Sequence, residues 1–202
     1  MIRILFPLKL LQIKLLQSFY FINIILLSSL TICFSSCAST AGENRLYANL
    51  TDNSKYILLP PEGIEQALDT AQYVSVSYND QEYFFNAWVK ADETGINMTL
   101  FNEFGAGMGD LSYRYGFINF TSPVFPTTVK PEYIVADFQL CFYDPILLKG
   151  ALKKCGLSFE TIGANRRVLK GKDLIIEIEK TGSIVKLKNN LRGYAYTLEG
   201  GF

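Results

Sequence analysis

The sequence predicts an α+β domain: a single curved antiparallel β-sheet, a half-barrel, with two helices plugging its concave face. Three observations predict it. Aromatic residues are plentiful, 12 Tyr and 15 Phe among 202 residues, and such side chains suit the pleated, half-buried surface of strands. Alternation of apolar and polar residues recurs before and after the middle of the chain, punctuated by turn dipeptides, while helical spacing is confined to residues 131–155. Each hairpin so defined is apolar on one face only, so the strands need a covering layer that two intervening helices can supply.

Ahead of this domain, residues 1–36 read as an export leader. Arg3, Lys9 and Lys14 precede residues 19–34, whose only strongly polar member is Asn23, the layout of a charged n-region and an apolar h-region. That run is shorter than the roughly 20 apolar residues a spanning helix needs. It ends in Phe34-Ser35-Ser36-Cys37, which resembles the lipobox of bacterial lipoproteins, with Phe34 where an aliphatic residue is usual. The resemblance implies that Cys37 is acylated and becomes the new N-terminus. An uncleaved anchor helix and ordinary cleavage to a soluble protein are the competing readings. Two or more acyl chains hold a protein stably at a membrane where one does not. Residues 37–55, small and polar at their start, read as a lipidated tether, and 56–202 as the folded domain.

Composition narrows the function. Loss of the leader removes three basic residues and no acidic ones, so 19 basic residues become 16 against 19 acidic, net −3. Without a basic patch, nucleic acid is not an expected partner. Histidine is absent, which removes Ser-His-Asp and Cys-His catalysis and the usual zinc ligand sets. The expectation is a protein with no catalytic residues, no metal and no cofactor.

In chain order, residues 56–59 form a short apolar run stopped by Pro60-Pro61. Residues 73–78 and 81–90 alternate around Asn79-Asp80, a two-residue hairpin turn. Counting outward pairs Val76 with Tyr83 and Val74 with Phe85, so Tyr83, Phe85, Ala87 and Val89 face inward. Trp88 points the other way, either packed beneath a neighbouring loop or serving as a ligand platform. A second hairpin sets Ile96, Met98 and Leu100 against Leu111, Tyr113 and Tyr115. Its connection, Phe104-Gly105-Ala106-Gly107-Met108-Gly109, lacks the Lys-Ser/Thr and following helix of a phosphate cradle and reads as a flexible tip. Phe104 and Met108 would be exposed there as an interaction site, unless both fold back onto the sheet.

Residues 117–121 make another strand, and Pro123, Pro126 and Pro131 lead into the first helix. Within 131–143, Ile134, Phe138, Cys141 and Phe142 form one apolar stripe. The second helix has Asp144 as N-cap, Pro145 at its first position, lysines near its end and Gly156 just beyond. Its stripe is Leu148, Ala151, Leu152 and Cys155. In a helical hairpin Cys155 lies roughly 16 Å beyond the turn, too far for the roughly 7 Å that a disulfide to Cys141 requires, so free thiols are expected. Residues 166–170, 174–180, 184–188 and 193–198 complete a meander. On it, Glu177 and Glu179 share one face, read as solvated against lysines or, alternatively, as an acid-base pair.

Four segments in order carry a family resemblance: Leu58-Leu59-Pro60-Pro61, Ile134-Val135-Ala136-Asp137-Phe138-Gln139-Leu140, Leu174-Ile175-Ile176-Glu177-Ile178 and Asn190-Leu191-Arg192-Gly193-Tyr194. Over residues 57–199 the chain resembles the Gram-negative lipoproteins known as domain of unknown function 3261, associated with gene clusters for aryl polyene lipids. That family in turn is similar to the outer-membrane lipoprotein receptor LolB, a half-barrel that holds acyl chains and projects a leucine in an Asn-Pro-Leu-Gly turn. Asn102-Glu103-Phe104-Gly105 matches that turn, with Phe104 at the leucine position and Glu103 in place of proline.

The resemblance implies a non-enzymatic carrier or acceptor, anchored by Cys37 to the outer membrane and facing the periplasm. It would take a lipid or acylated cargo, with a periplasmic carrier protein as donor, into a hollow lined by Val76, Tyr83, Phe85, Val89, Met98, Leu100, Phe138, Leu148 and Leu152. Phe104 and Met108 would touch the bilayer. The alternative is a structural or assembly lipoprotein with a self-filled core. An enzyme would need a carboxylate inside the hollow, for which Asp137 is the candidate.

Overall fold

Asn79 and Asp80 adopt φ of 50° and 60°, the left-handed pair that a two-residue hairpin turn requires and that Asn and Asp tolerate better than other side chains. The turn fixes the register of β3 (Leu68–Tyr78) against β4 (Gln81–Asp92), and Val76 pairs with Tyr83 and Val74 with Phe85 as the sequence predicts. A computed structural model describes residues 45–200 of the chain. The leader and Cys37 therefore lie outside the described residues.

From β4 the chain continues as a meander through β5 (Gly95–Phe101), β6 (Gly107–Arg114) and β7 (Phe117–Thr121). After two helices a second meander follows: β8 (Ser158–Ile162), β9 (Asn165–Lys170), β10 (Asp173–Thr181), β11 (Ile184–Asn189) and β12 (Tyr194–Gly200). Antiparallel pairing of β12 with β3 joins the two into one ten-stranded sheet, ordered β7-β6-β5-β4-β3-β12-β11-β10-β9-β8. The edges, β7 and β8, do not pair, so the sheet is an open half-barrel. The protein is α+β.

Two elements escaped the sequence reading. Residues 47–55, read as part of the tether, belong to a hairpin of β1 (Tyr47–Thr51) and β2 (Ser54–Ile57) that buries Ala48, Leu50 and Tyr56. Its apolar residues alternate over too few positions to stand out from the polar segment before it. β8 was missed for the same reason, since Phe159 alone of its five residues is buried.

The hairpin, a 3₁₀ turn at Pro61–Gly63 and the helices cover one face of the sheet. Helix α1 (Pro131–Phe142) is more enclosed than its predicted stripe implies, because every residue from Val135 to Phe142 is buried. It lies between the sheet on one side and the β1–β2 hairpin on the other. Helix α2 (Pro145–Lys154) starts as predicted, with Asp144 Oδ1 accepting from the backbone N–H groups of Ile146 and Leu147 at 2.8 and 3.0 Å. At Gly63 a Cβ would come within 2.7 Å of the Tyr143 ring, so only glycine lets the 3₁₀ turn meet the helix junction.

The core clusters on this covered face. Val89, Ala91, Ile96, Leu111, Tyr113, Ile176, Ile178 and Leu187 point from the strands to Val135, Leu140, Leu148 and Leu152 on the helices. Cys141 and Cys155 are free thiols, as expected from the helix geometry, with Cys141 buried and Cys155 half-buried.

Candidate functional site

Strand registers put the β3–β4 turn at 79–80, the β5–β6 loop at 102–106 and the β11–β12 turn at 190–193 at one end of the sheet. At that end the covered face is least complete. Val76 and Phe85 are half-buried, as are Tyr196 and Leu198 beside them on β12. Tyr83, the partner of Val76, is 48% exposed, its hydroxyl donating to Gln81 Oε1. Phe125, in the segment between β7 and α1, lies 6.2 Å from the Phe85 ring, edge to face, and 6.3 Å from Phe120. These side chains form an apolar rim with Phe125 across it.

Beyond the rim the face is filled. Of the nine side chains expected to line a hollow, Val89, Met98, Leu100, Phe138, Leu148 and Leu152 are at most 9% exposed and belong to the packed cluster. The helices approach the sheet closely because α1 is buried on all sides, which a one-stripe reading of its sequence did not anticipate. Val76 and Phe85 stand at the rim, and Tyr83 is largely in solvent rather than inside.

The loop at 102–106 is ordered by its own asparagine. Asn102 Oδ1 accepts from the backbone N–H of Phe104 at 3.0 Å and of Ala106 at 2.8 Å, and Asn102 N–H donates to Ala106 O. These bonds constrain the turn. They present Phe104 at the tip, 86% exposed. Met108 does not join it: it sits in β6 at a bulge opposite Leu100 and Phe101, half-buried against the core cluster. The loop therefore offers one aromatic side chain, not two.

Just inside the rim lies a polar cluster the sequence hinted at only through Asp137. Tyr194 Oη donates to Asp137 Oδ2 at 2.6 Å, and Asn189 Nδ2 donates to Tyr194 Oη at 3.2 Å. Burial pushes Asp137 up from 3.8 to about 7, with the Tyr194 bond and the nearby Arg192 charge pulling the other way. Arg192 stacks over the Tyr133 ring at 4.4 Å and donates to the Tyr133 hydroxyl and to Asn49 O. Burial also raises the Tyr194 and Tyr196 hydroxyls, and Cys141, 3.9 Å from Tyr196 Oη, rises to about 12. Burial thus disfavours the charged forms of Asp137, Cys141, Tyr194 and Tyr196.

Deeper still, two buried polar side chains position α1. Gln139 Oε1 accepts from Tyr56 Oη and Leu59 N–H, both at 3.0 Å, while its Nε2 donates to Leu59 O at 2.7 Å. Arg166, 4% exposed, donates to Leu140 O and Tyr143 O at the helix C-terminus and to Glu65. A cation there satisfies end carbonyls and complements the helix dipole. Sequence reasoning found neither, because Gln139 lies singly within an apolar helix and Arg166 stands beside Arg167 in a polar strand start, and neither position carries a periodic signal of burial. Glu177 pairs with Arg167 at 2.8 Å on the outer face, and Glu179 faces Lys186 across the strands, as the solvated reading holds. Among the described residues, no three acidic or cysteine side chains converge to hold a metal ion.

The fold and rim thus define an α+β protein built on an open antiparallel sheet with helices against one face. Residues 69–200 match the model of the family described as Protein of unknown function (DUF3261), and the chain belongs to that family. No curated protein matches the chain.

Proposed function

We propose that this protein is a non-enzymatic lipoprotein of the outer membrane that accepts or carries a lipid or lipidated cargo. The observation that carries the reading is a coincidence of place: the exposed Phe104 and the incompletely covered rim lie at the same end of the sheet. Lipidation at Cys37 would hold the domain at the inner leaflet, facing the periplasm. Phe104 would dip into the bilayer, and an acyl chain would enter between Val76, Phe85 and Tyr196 by displacing Phe125. Burial of cargo hydrocarbon supplies about 0.8 kcal/mol per CH₂, and the bilayer returns as much when the cargo leaves. The similarity to LolB belongs to this proposal, as does a periplasmic carrier as donor.

A second reading, an assembly lipoprotein with a self-filled core, is favoured by one observation. Six of the nine expected lining residues are packed to 9% exposure or less. Native mass spectrometry of the protein extracted from its own membrane separates the two. A bound mass of lipid size supports the carrier; bare protein from repeated gentle extractions supports the scaffold. For the carrier, Phe104→Glu should abolish transfer of a fluorescent diacylated peptide to liposomes with the fold intact, and unchanged transfer would refute it.

A further inference from the structure

The outer face of the sheet, opposite the helices, carries an aromatic cluster that neither the core nor the rim uses. Tyr73, Phe84 and Trp88 are 45%, 53% and 50% exposed on adjacent strands. Tyr73 and Phe84 lie 6.2 Å apart with planes inclined by 14°. Trp88 Nε1 donates to Asp69 Oδ1 at 3.0 Å, which constrains the orientation of the half-exposed indole. Among the described residues Trp88 is not buried beneath a loop, being 50% exposed.

What surrounds the rings decides what they fit. Register places Trp88, Thr99, Asp110 and Thr121 in one row across β4 to β7, and Tyr73, Asn86 and Phe101 in the next. Thr99 Oγ1 donates to Asp110 Oδ1 at 2.9 Å, leaving the second carboxylate oxygen open. Beside the row the surface sinks into a depression of about 360 Å³ lined by Thr99, Asp110, Thr121 and Ser122. It exists because Gly107 and Gly109 contribute no side chains. At Gly109 a Cβ would stand 2.8 Å from Thr121 O, so the strands there approach too closely for any other residue.

We infer that this face is a binding site for a neutral oligosaccharide. A pyranose ring has an apolar C–H face and a rim of hydroxyls. The first packs on a flat aromatic ring, and the second needs acceptors and donors in the same plane. Trp88 and Tyr73 supply the platforms. Asn86, Thr99, Asp110 and Thr121 supply a carboxylate, an amide and hydroxyls at one row's spacing, and the depression admits a substituent below the ring plane. The row that runs on from Trp88 is polar throughout, Thr99, Asp110 and Thr121, which suits a ligand bearing hydroxyls. The site is independent of any cargo on the covered face.

The chain contains a single tryptophan, so emission excited in the indole band reports on Trp88 alone. Maltotetraose and chitotetraose, titrated separately against the intact protein, test the site, with tetraethylene glycol as the polyol control. At least one saccharide should shift the emission saturably and shield Trp88 from acrylamide, with a dissociation constant on the order of 1 mM, while the glycol does neither. Tyr73→Ser and Asp110→Ala, both exposed changes, should each weaken binding by about three- to tenfold with the far-ultraviolet circular dichroism unchanged. Failure of both saccharides to shield Trp88, or binding by both variants as tight as by the wild type, overturns the inference. So does an emission that shifts with protein concentration alone, which would mean that a second copy covers the patch.

Discussion

Tyr194 Oη donates to Asp137 Oδ2 at 2.6 Å, tying the last strand of the sheet to the middle of α1. The bond lies in a setting that disfavours charge, for burial raises Asp137 from 3.8 to about 7 despite Tyr194 and Arg192. An acid whose folded value is raised keeps a proton that the unfolded chain gives up. Its contribution is therefore most favourable below about pH 4, declines as pH rises to about 7, and is level above that. The slope is at most about 1.4 kcal/mol per pH unit. Asn189, Tyr196 and Cys141 complete the surroundings, and burial raises the tyrosine and the thiol away from that window. Urea midpoints of the wild type should fall from pH 5 to pH 7, whereas Asp137→Asn, which keeps an acceptor for Tyr194, should be flatter and relatively more stable at pH 8. Parallel curves for the two proteins would show that Asp137 is charged when folded.

Gln139 joins α1 to the turn after β2 through three bonds, and Tyr113 Oη shares one acceptor with it at Leu59 O, 2.8 Å away. Gln139→Leu would orphan Tyr56 Oη and Leu59 N–H in the core, at about 1–3 kcal/mol each. Tyr113→Phe leaves Leu59 O still bonded to Gln139, so it should cost only about 1 kcal/mol. Denaturant unfolding of the two variants should rank them in that order. Near-equal losses would mean that the glutamine fills space rather than organises the turn.

These two residues mark where the sequence stops being legible. Strands whose one face is apolar over several positions, such as β4 or β10, announce themselves through alternation, and Asn79-Asp80 fixes a register to the residue. The helix caps at Asp144 and Gly156 are equally local. Burial on all sides of α1 is not, because the hairpin at 47–57 that covers it is too short to be periodic and lies some 80 residues away from Gln139. For the same reason the hollow expected on the sheet's covered face turned out packed at six of its positions: periodicity gives the face a side chain points to, never the distance to the next layer. At the rim the glycine-rich setting marked Phe104 and Met108 alike, and only Phe104 is exposed, because Met108 belongs to β6 and packs against the core.

Cys141 and Cys155 give a direct check on the packing of α1 and α2. Cys141 is buried and its thiol raised to about 12 by that burial, while Cys155 is half-buried with Sγ 3.2 Å from Leu152 O. Thiolate is the reacting form, so Ellman's reagent should modify Cys155 slowly in the folded protein and Cys141 only on unfolding. Rapid modification of Cys141 would show that α1 separates from the sheet under native conditions.

Phe125 closes the rim by resting edge-on against Phe85 and beside Phe120. It is half-buried, so Phe125→Ala should lose about 1–2 kcal/mol, less than the roughly 3–5 kcal/mol of a fully enclosed phenylalanine. More telling is what the change exposes. Removing the ring bares Phe85 and Phe120 beside Val76, and in a carrier an apolar naphthylamine dye should bind there with enhanced fluorescence, competed by a free fatty acid. Phe104→Glu, at an 86% exposed position, should leave both stability, within about 0.5 kcal/mol, and dye binding as in the wild type, while lowering association with anionic liposomes. If instead the covered face is filled by its own side chains for good, the alanine variant will collapse around the gap and bind no dye. The two variants then separate entry into the sheet from contact with the membrane, which the carrier reading requires to be distinct functions of one end of the fold.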